Sequence, residues 1–366
     1  MNKKTNHHYG IDLLRLLAFA YVIVLHTLGH GGIIGASTYG SNQYMLSAGM
    51  EIWSYCAVNL FGLISGYVGF STKPEKTWQA RLLAYLRLWL QVVFYAVVPS
   101  VILLFAVPGT TDPGKILKGF FPVTTGQYWY FSAYTGLFLL MPVLNAALRS
   151  LDRAYLKRFL FLFLLVFSLY ASPMERFALR EGYSVFWLVL LYLAGGAVRK
   201  IQMQRDADTA ANPGRTKHIR LLCLGGIILC ALFAWIWLIR DCHLTIFDVQ
   251  IKRTTWMSYT SFTVTLSALL HLILFSHISI PAKLQRFIRR IAACSFGIYL
   301  INTQPAIWSL TDGRFASCGT GPLVRILLVV AANVAIFMAA GILIDLALHA
   351  LLAIILRKAS VTKKTS

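Results

Sequence analysis

Acidic residues are scarce in this chain. Asp and Glu number 13 among 366 residues, and all charged residues together make up 13%. A soluble protein carries about twice that charged fraction, so a solvated globular body is excluded. Long polar stretches are also missing: the longest runs from Arg199 to Lys217, and no large soluble domain fits between the apolar runs. Heptads, internal repeats and low-complexity segments are absent, which excludes coiled coils and solenoids. The six cysteines show no metal-ligand spacing, and no metal is expected. Cys56, Cys223, Cys230 and Cys294 fall in or near apolar runs and read as small packing residues. Cys242 and Cys318 fall in outer loops, where the compartment permits a disulfide that spacing alone does not establish. No small-residue cleavage pattern ends the first apolar run, so that run is expected to be retained as a span.

What is present is hydrophobicity: 58% of residues are apolar, and the mean hydropathy is +0.66. Ten apolar stretches, near 11–28, 50–70, 82–106, 128–148, 157–171, 184–198, 219–239, 255–277, 292–311 and 323–351, are each long enough, or nearly so, to cross a hydrocarbon core of about 30 Å. The fifth is the weakest, because Phe159 to Tyr170 is short. The expected fold is all-α, a polytopic transmembrane bundle of about ten spans, and the chain is one integral membrane domain over 1–366. A cytoplasmic loop is expected at about 199–218 and a polar tail at 357–366.

The net charge of +21 resembles a nucleic-acid signature, but its placement argues for topology. With the N-terminus inside, 23 of the 34 Lys and Arg fall in inner segments and 8 in outer loops. This alternation puts both termini in the cytoplasm, with no nucleic-acid partner, and identifies a multi-pass protein of the cell membrane. A basic inner rim also attracts phosphorylated cytoplasmic ligands.

Ionisable residues inside spans are costly and mark functional sites. Arg15 and His26 lie eleven residues apart in the first span, about three helical turns, hence on one face and about 16 Å apart along the axis. Taken singly, each has an ordinary alternative: Arg15 as a snorkelling anchor paired with Asp12, His26 as a hydrogen-bonded core histidine. Ser65 and Gly66 permit either close helix packing or a polar lining. Arg81 and Arg87 are either interfacial anchors or phosphate clamps. Tyr128-Trp129-Tyr130-Phe131 is either an interfacial aromatic belt or a stacking surface for a sugar ring. Asn302, Gln304, His271 and Asp345 are polar groups in apolar spans and need partners.

In this order, these segments resemble the acyltransferase-three family of integral membrane acyltransferases. Arg15 and His26 match its Arg/Lys, ten residues, His signature, and Ile11-Asp12 with Arg15 matches the opening. Asn59 to Tyr67 looks like its Ser-Gly segment, Arg81 and Arg87 like its arginine-bearing segment, Tyr128 to Pro142 like its Trp-led fourth span, and Ser295 to Ile301 like its late Ser-x-x-x-Tyr-Leu segment. Two positions depart from the pattern: Asn302 stands where histidine often follows, and the two arginines are six apart.

The resemblance implies a stand-alone enzyme, most readily an O-acetyltransferase. It would take an acetyl group from acyl-CoA, acetyl-CoA in particular, as a donor substrate rather than a bound cofactor, and pass it to a hydroxyl of a cell-envelope carbohydrate or related small acceptor. It implies His26 as general base and Arg15 as its catalytic partner. Arg15, Arg81, Arg87 and Ser65 would contact the donor, and Tyr128, Trp129, Tyr299 and Asn302 the acceptor. A bacterial cytoplasmic membrane is the expected location, with membrane lipid as surroundings. The rival reading is a transporter or flippase for an amphiphilic solute; no inverted repeat or paired broken helix supporting it is legible in the sequence.

Overall fold

The computed structural model describes residues 7–208, 213–246 and 249–365, with side chains described as far as residue 350. The chain runs α1 (Tyr9–Leu28), a short α2 (Ile33–Ala36), α3 (Asn42–Ser54), α4 (Ala57–Gly69), α5 (Trp78–Ala106), α6 (Pro113–Gly119), α7 (Trp129–Ser150) and α8 (Arg153–Leu162). A π-helical stretch, Phe163–Tyr170, continues α8. Then follow α9 (Val185–Asp208), α10 (Pro213–Ile239), a small antiparallel hairpin of β1 (Leu244–Ile246) and β2 (Val249–Ile251), α11 (Phe262–Ser276), α12 (Ala282–Ala293), α13 (Ser295–Asn302), α14 (Pro305–Thr311) and α15 (Leu323–Thr365). The fold is the expected all-α membrane bundle.

Helix starts follow local chemistry. Thr77, Asp112 and Asp152 each accept a hydrogen bond from the backbone N–H three residues on, satisfying donors that the first turn leaves open. Pro113 and Pro305 occupy first-turn positions, where no N–H is needed.

Among the described residues, nine helical stretches are long and apolar enough to cross a membrane. The ninth expected span, 292–311, is broken: α13 stops at Asn302 and α14 begins at Pro305, because proline supplies no amide to the preceding turn. This segment still traverses the bundle. Its approach helix α12 shares a surface recess with Tyr9 at the start of α1, whereas Gly313, just past α14, donates its N–H to the His30 carbonyl at the far end of α1.

Two expectations about loops change. Most of 199–218 is helix, since α9 continues to Asp208 and α10 begins at Pro213. Arg, Lys and Gln are good helix formers, so polarity there reflects solvation rather than a loop. Residues 209–212 lie outside the described ones. The 357–366 tail is likewise helical as far as Thr365. Cys242 and Cys318 are separate free thiols, Cys318 being packed with Leu28 and Ile33.

The core sits where α1, α4, α9 and α11 meet. The α4–α9 crossing is backbone on backbone: a Cβ added to Gly66 would stand 1.9 Å from the Tyr192 carbonyl oxygen, and one added to Gly195 would stand 1.9 Å from that of Leu63. Close packing therefore accounts for Gly66, while its neighbour Ser65 turns to the interior cavity described next.

Candidate active site

A cavity of about 720 Å³ runs along one face of α1, and Arg15 and His26 both line it. The eleven-residue spacing thus becomes a common wall. Ser65 of α4, Trp129 of α7 and Tyr299 of α13 also line this cavity.

His26 is held from two sides. Its Nδ1 donates to Asn302 Oδ1 at 2.6 Å, and the edge of its ring meets Trp308, centroids 4.5 Å apart. Since an amide oxygen only accepts, this bond puts the proton on Nδ1 and leaves the Nε2 lone pair available. Asn302 sits at the last turn of α13, where the helix breaks. Gln304 holds that break: its side chain accepts from Ile307 N at 2.9 Å and donates to Ser100 Oγ at 2.6 Å. His30, one turn beyond His26, stacks on Trp308 at 3.9 Å and bonds its carbonyl at 2.9 Å.

Exchanging Asn302 for leucine is expected to leave the bundle folded and to lower turnover by roughly ten- to hundredfold, because the ring loses its orienting partner. The measurement is initial rate at saturating donor.

At the other end, Arg15 pairs with Asp12 at 3.5 Å, and Asp12 also bonds His7 at 2.5 Å. Just outside the span, burial and the Arg199 guanidinium push the pKa of His8 from 6.5 down to about 4. The unfolded chain binds this proton more readily than the folded one, so stability is expected to fall as pH drops from 6.5 towards 4 and to level off below. A His8→Gln variant should show a flatter melting profile across that window.

Four expected site residues, Arg81, Arg87, Tyr128 and Asn302, lie off the cavity wall. Arg81 bonds the Phe138 carbonyl at 2.7 Å and pairs with Glu75 at 3.5 Å, joining α5 to α7. Arg87 is exposed on α5. Tyr128 is buried behind Tyr299, ring centroids 6.1 Å apart. Asn302 reaches the site through His26. His271 and Asp345 find partners elsewhere, in the Ser267 carbonyl at 2.8 Å and the Gln91 amide at 2.5 Å.

The sequence reading missed an aromatic wall. Trp129 packs on Tyr183 at 4.5 Å and Tyr183 on Tyr259 at 5.3 Å, and all three line the cavity. Tyr183 lies just before the sixth span and Tyr259 near the start of the eighth, with no spacing to connect them to Trp129. Trp308 was equally hidden, since it meets His26 only through the break in the ninth span.

No curated protein and no solved structure matches the sequence. The family model described as an acyltransferase domain matches residues 8–342, which takes in the Arg15–His26 helix, the aromatic fourth span and the broken ninth. The chain belongs to the acyltransferase-three family and is a multi-pass membrane acyltransferase.

Proposed function

We propose that this acyltransferase is an O-acetyltransferase, taking acetyl from cytoplasmic acetyl-CoA and passing it to a hydroxyl of a cell-envelope carbohydrate. The observation that carries the reading is the Nδ1-anchored His26 on the wall of a cavity that also reaches Arg15. The basic rim fits a cytoplasmic Arg15 end, and the reading takes the membrane to be a bacterial cytoplasmic membrane. The donor then enters from the Arg15 end, its phosphates drawn by that rim and its pantetheine arm reaching up the shared face.

His26 Nε2 takes the proton of the acceptor hydroxyl as the oxygen attacks the thioester carbonyl. The imidazolium so formed is stabilised by its Nδ1–H bond to the Asn302 oxygen. Collapse of the tetrahedral intermediate breaks the C–S bond, and the departing thiolate takes the proton back from Nε2. The hydroxyl of Ser65 is the candidate donor to the carbonyl oxygen. The wall of Trp129, Tyr183 and Tyr259 suits the apolar face of a sugar ring.

Purified protein given labelled acetyl-CoA and envelope glycan should release free CoA and label the glycan. Label that crosses the membrane without CoA release would favour a transporter, the reading to which the broken ninth span lends some support. Arg15→Ala is expected to raise the KM for acetyl-CoA roughly tenfold, the loss of about 1.4 kcal/mol of charge-assisted binding. An unchanged KM and kcat would make Arg15 an anchor only.

A further inference from the structure

The cavity leaves one buried charged group unused. Asp345, on α15, is completely buried. Its Oδ1 accepts from Gln91, but Oδ2 has no hydrogen-bond donor in good geometry among the described residues. His349, one turn on, brings Nδ1 only to 3.4 Å of Oδ2. A carboxylate oxygen left this way inside a membrane bundle is costly.

The third group comes from the ninth span. The helices α13 and α15 cross closely, since a Cβ on Gly341 would stand 2.4 Å from Ile298 Cα. That approach brings Cys294, at the start of α13, to Asp345. The thiol, the carboxylate and the imidazole offer one ligand atom each, all within 4.8 Å of one another.

We propose that Cys294, Asp345 and His349 form a binding site for one zinc ion. Thiolate, imidazole and carboxylate are the donor types zinc selects, and three protein ligands with an open fourth position is an established zinc geometry. Tetrahedral coordination needs ligand atoms about 3.4 Å apart. The half-exposed His349 side chain has the freedom to close the difference. The charges also balance: thiolate and carboxylate together cancel the dication, so the occupied site is neutral where an unpaired carboxylate is not. On binding, the Cys294 S–H bond is replaced by an S–Zn bond and the proton leaves to solvent, with no change in oxidation state. The ion would tie α13, which carries Asn302, to α15. The sequence concealed this, because Cys294 and Asp345 lie far apart and share no ligand motif.

Detergent-purified full-length protein, stripped with EDTA and titrated with Co²⁺, tests the site directly. A thiolate-to-cobalt charge-transfer band is expected in the wild type and absent in Cys294→Ser. His349→Ala, at a half-exposed side chain, keeps the fold testable and should weaken Co²⁺ binding at least tenfold. Reloading with Zn²⁺ should restore one equivalent per chain by elemental analysis and raise the melting temperature in the wild type alone. Absence of the band in the wild type, or a band undiminished in both variants, would overturn the site. Neither result depends on acyl transfer, so the outcome is independent of the proposed reaction.

Discussion

Replacing His26 by alanine is expected to lower acyl transfer by about a hundred- to ten-thousandfold, the range that a positioned general base contributes. The ring lines the cavity, so its removal enlarges an existing space rather than opening a void in packed core. Its structural cost falls on the Trp308 edge contact and on Asn302, whose oxygen loses its donor at about 1–3 kcal/mol. His26→Gln separates the two effects. Its amide N–H₂ still donates to Asn302, but glutamine takes up no proton at neutral pH. Equal loss in both variants, with melting temperature held in the glutamine variant, places the loss in proton transfer. A glutamine variant that keeps a tenth or more of wild-type turnover would remove His26 as the base.

The largest structural effect is expected at Gly66. A valine there would drive its Cβ to within 1.9 Å of the Tyr192 carbonyl oxygen and 2.6 Å of its carbon. These are backbone atoms of the opposing helix, and no rotamer change clears them. Because Gly195 meets Leu63 in the same way, the two helices would have to separate along the crossing. Overpacking of flexible cores costs about 1–3 kcal/mol; a backbone clash at the central crossing exceeds this and should abolish recovery of folded protein. The companion is Gly225→Ala on α10, where an added Cβ meets nothing within 4 Å. That change should be tolerated or gain up to about 1 kcal/mol of helix stability. Size-exclusion profiles in detergent distinguish the two. A monodisperse Gly66→Val protein would show that the α4–α9 contact yields more readily than its geometry implies.

The membrane bundle was legible in the sequence because hydropathy and loop charge act over whole spans, and neither depends on a particular contact. The Arg15–His26 face was legible because helical periodicity within one span converts spacing into direction. Legibility ended where the geometry is made by chain segments distant in sequence. Asn302 stood out as a polar residue without a partner, but only the packing of α13 against α1 makes that partner His26. Arg81 and Arg87 looked alike on the page, yet one joins α5 to α7 and the other is exposed. Span continuity was misread at Pro305, because hydropathy averages across a break.

The clasp at the far end of α1 has a consequence for how such an enzyme changes. Gly313 and Phe315 bond the carbonyls of His30 and Gly31 through main-chain amides, so no side-chain substitution other than proline deletes those bonds. Nearby, His26 and the Asn302 amide that it bonds lie on helices that this main-chain latch keeps in register. The tilted ring cluster of Trp129, Tyr183 and Tyr259 is held by side chains, with Tyr183 following turns that carry Glu175, Phe177 and Arg180 at positive φ. Variation is thus partitioned: the aromatic wall is free to drift by point substitution, while the His26–Asn302 pair is insulated from it. A directed-evolution library confined to those three positions should change acceptor preference and leave the pH dependence of turnover in place.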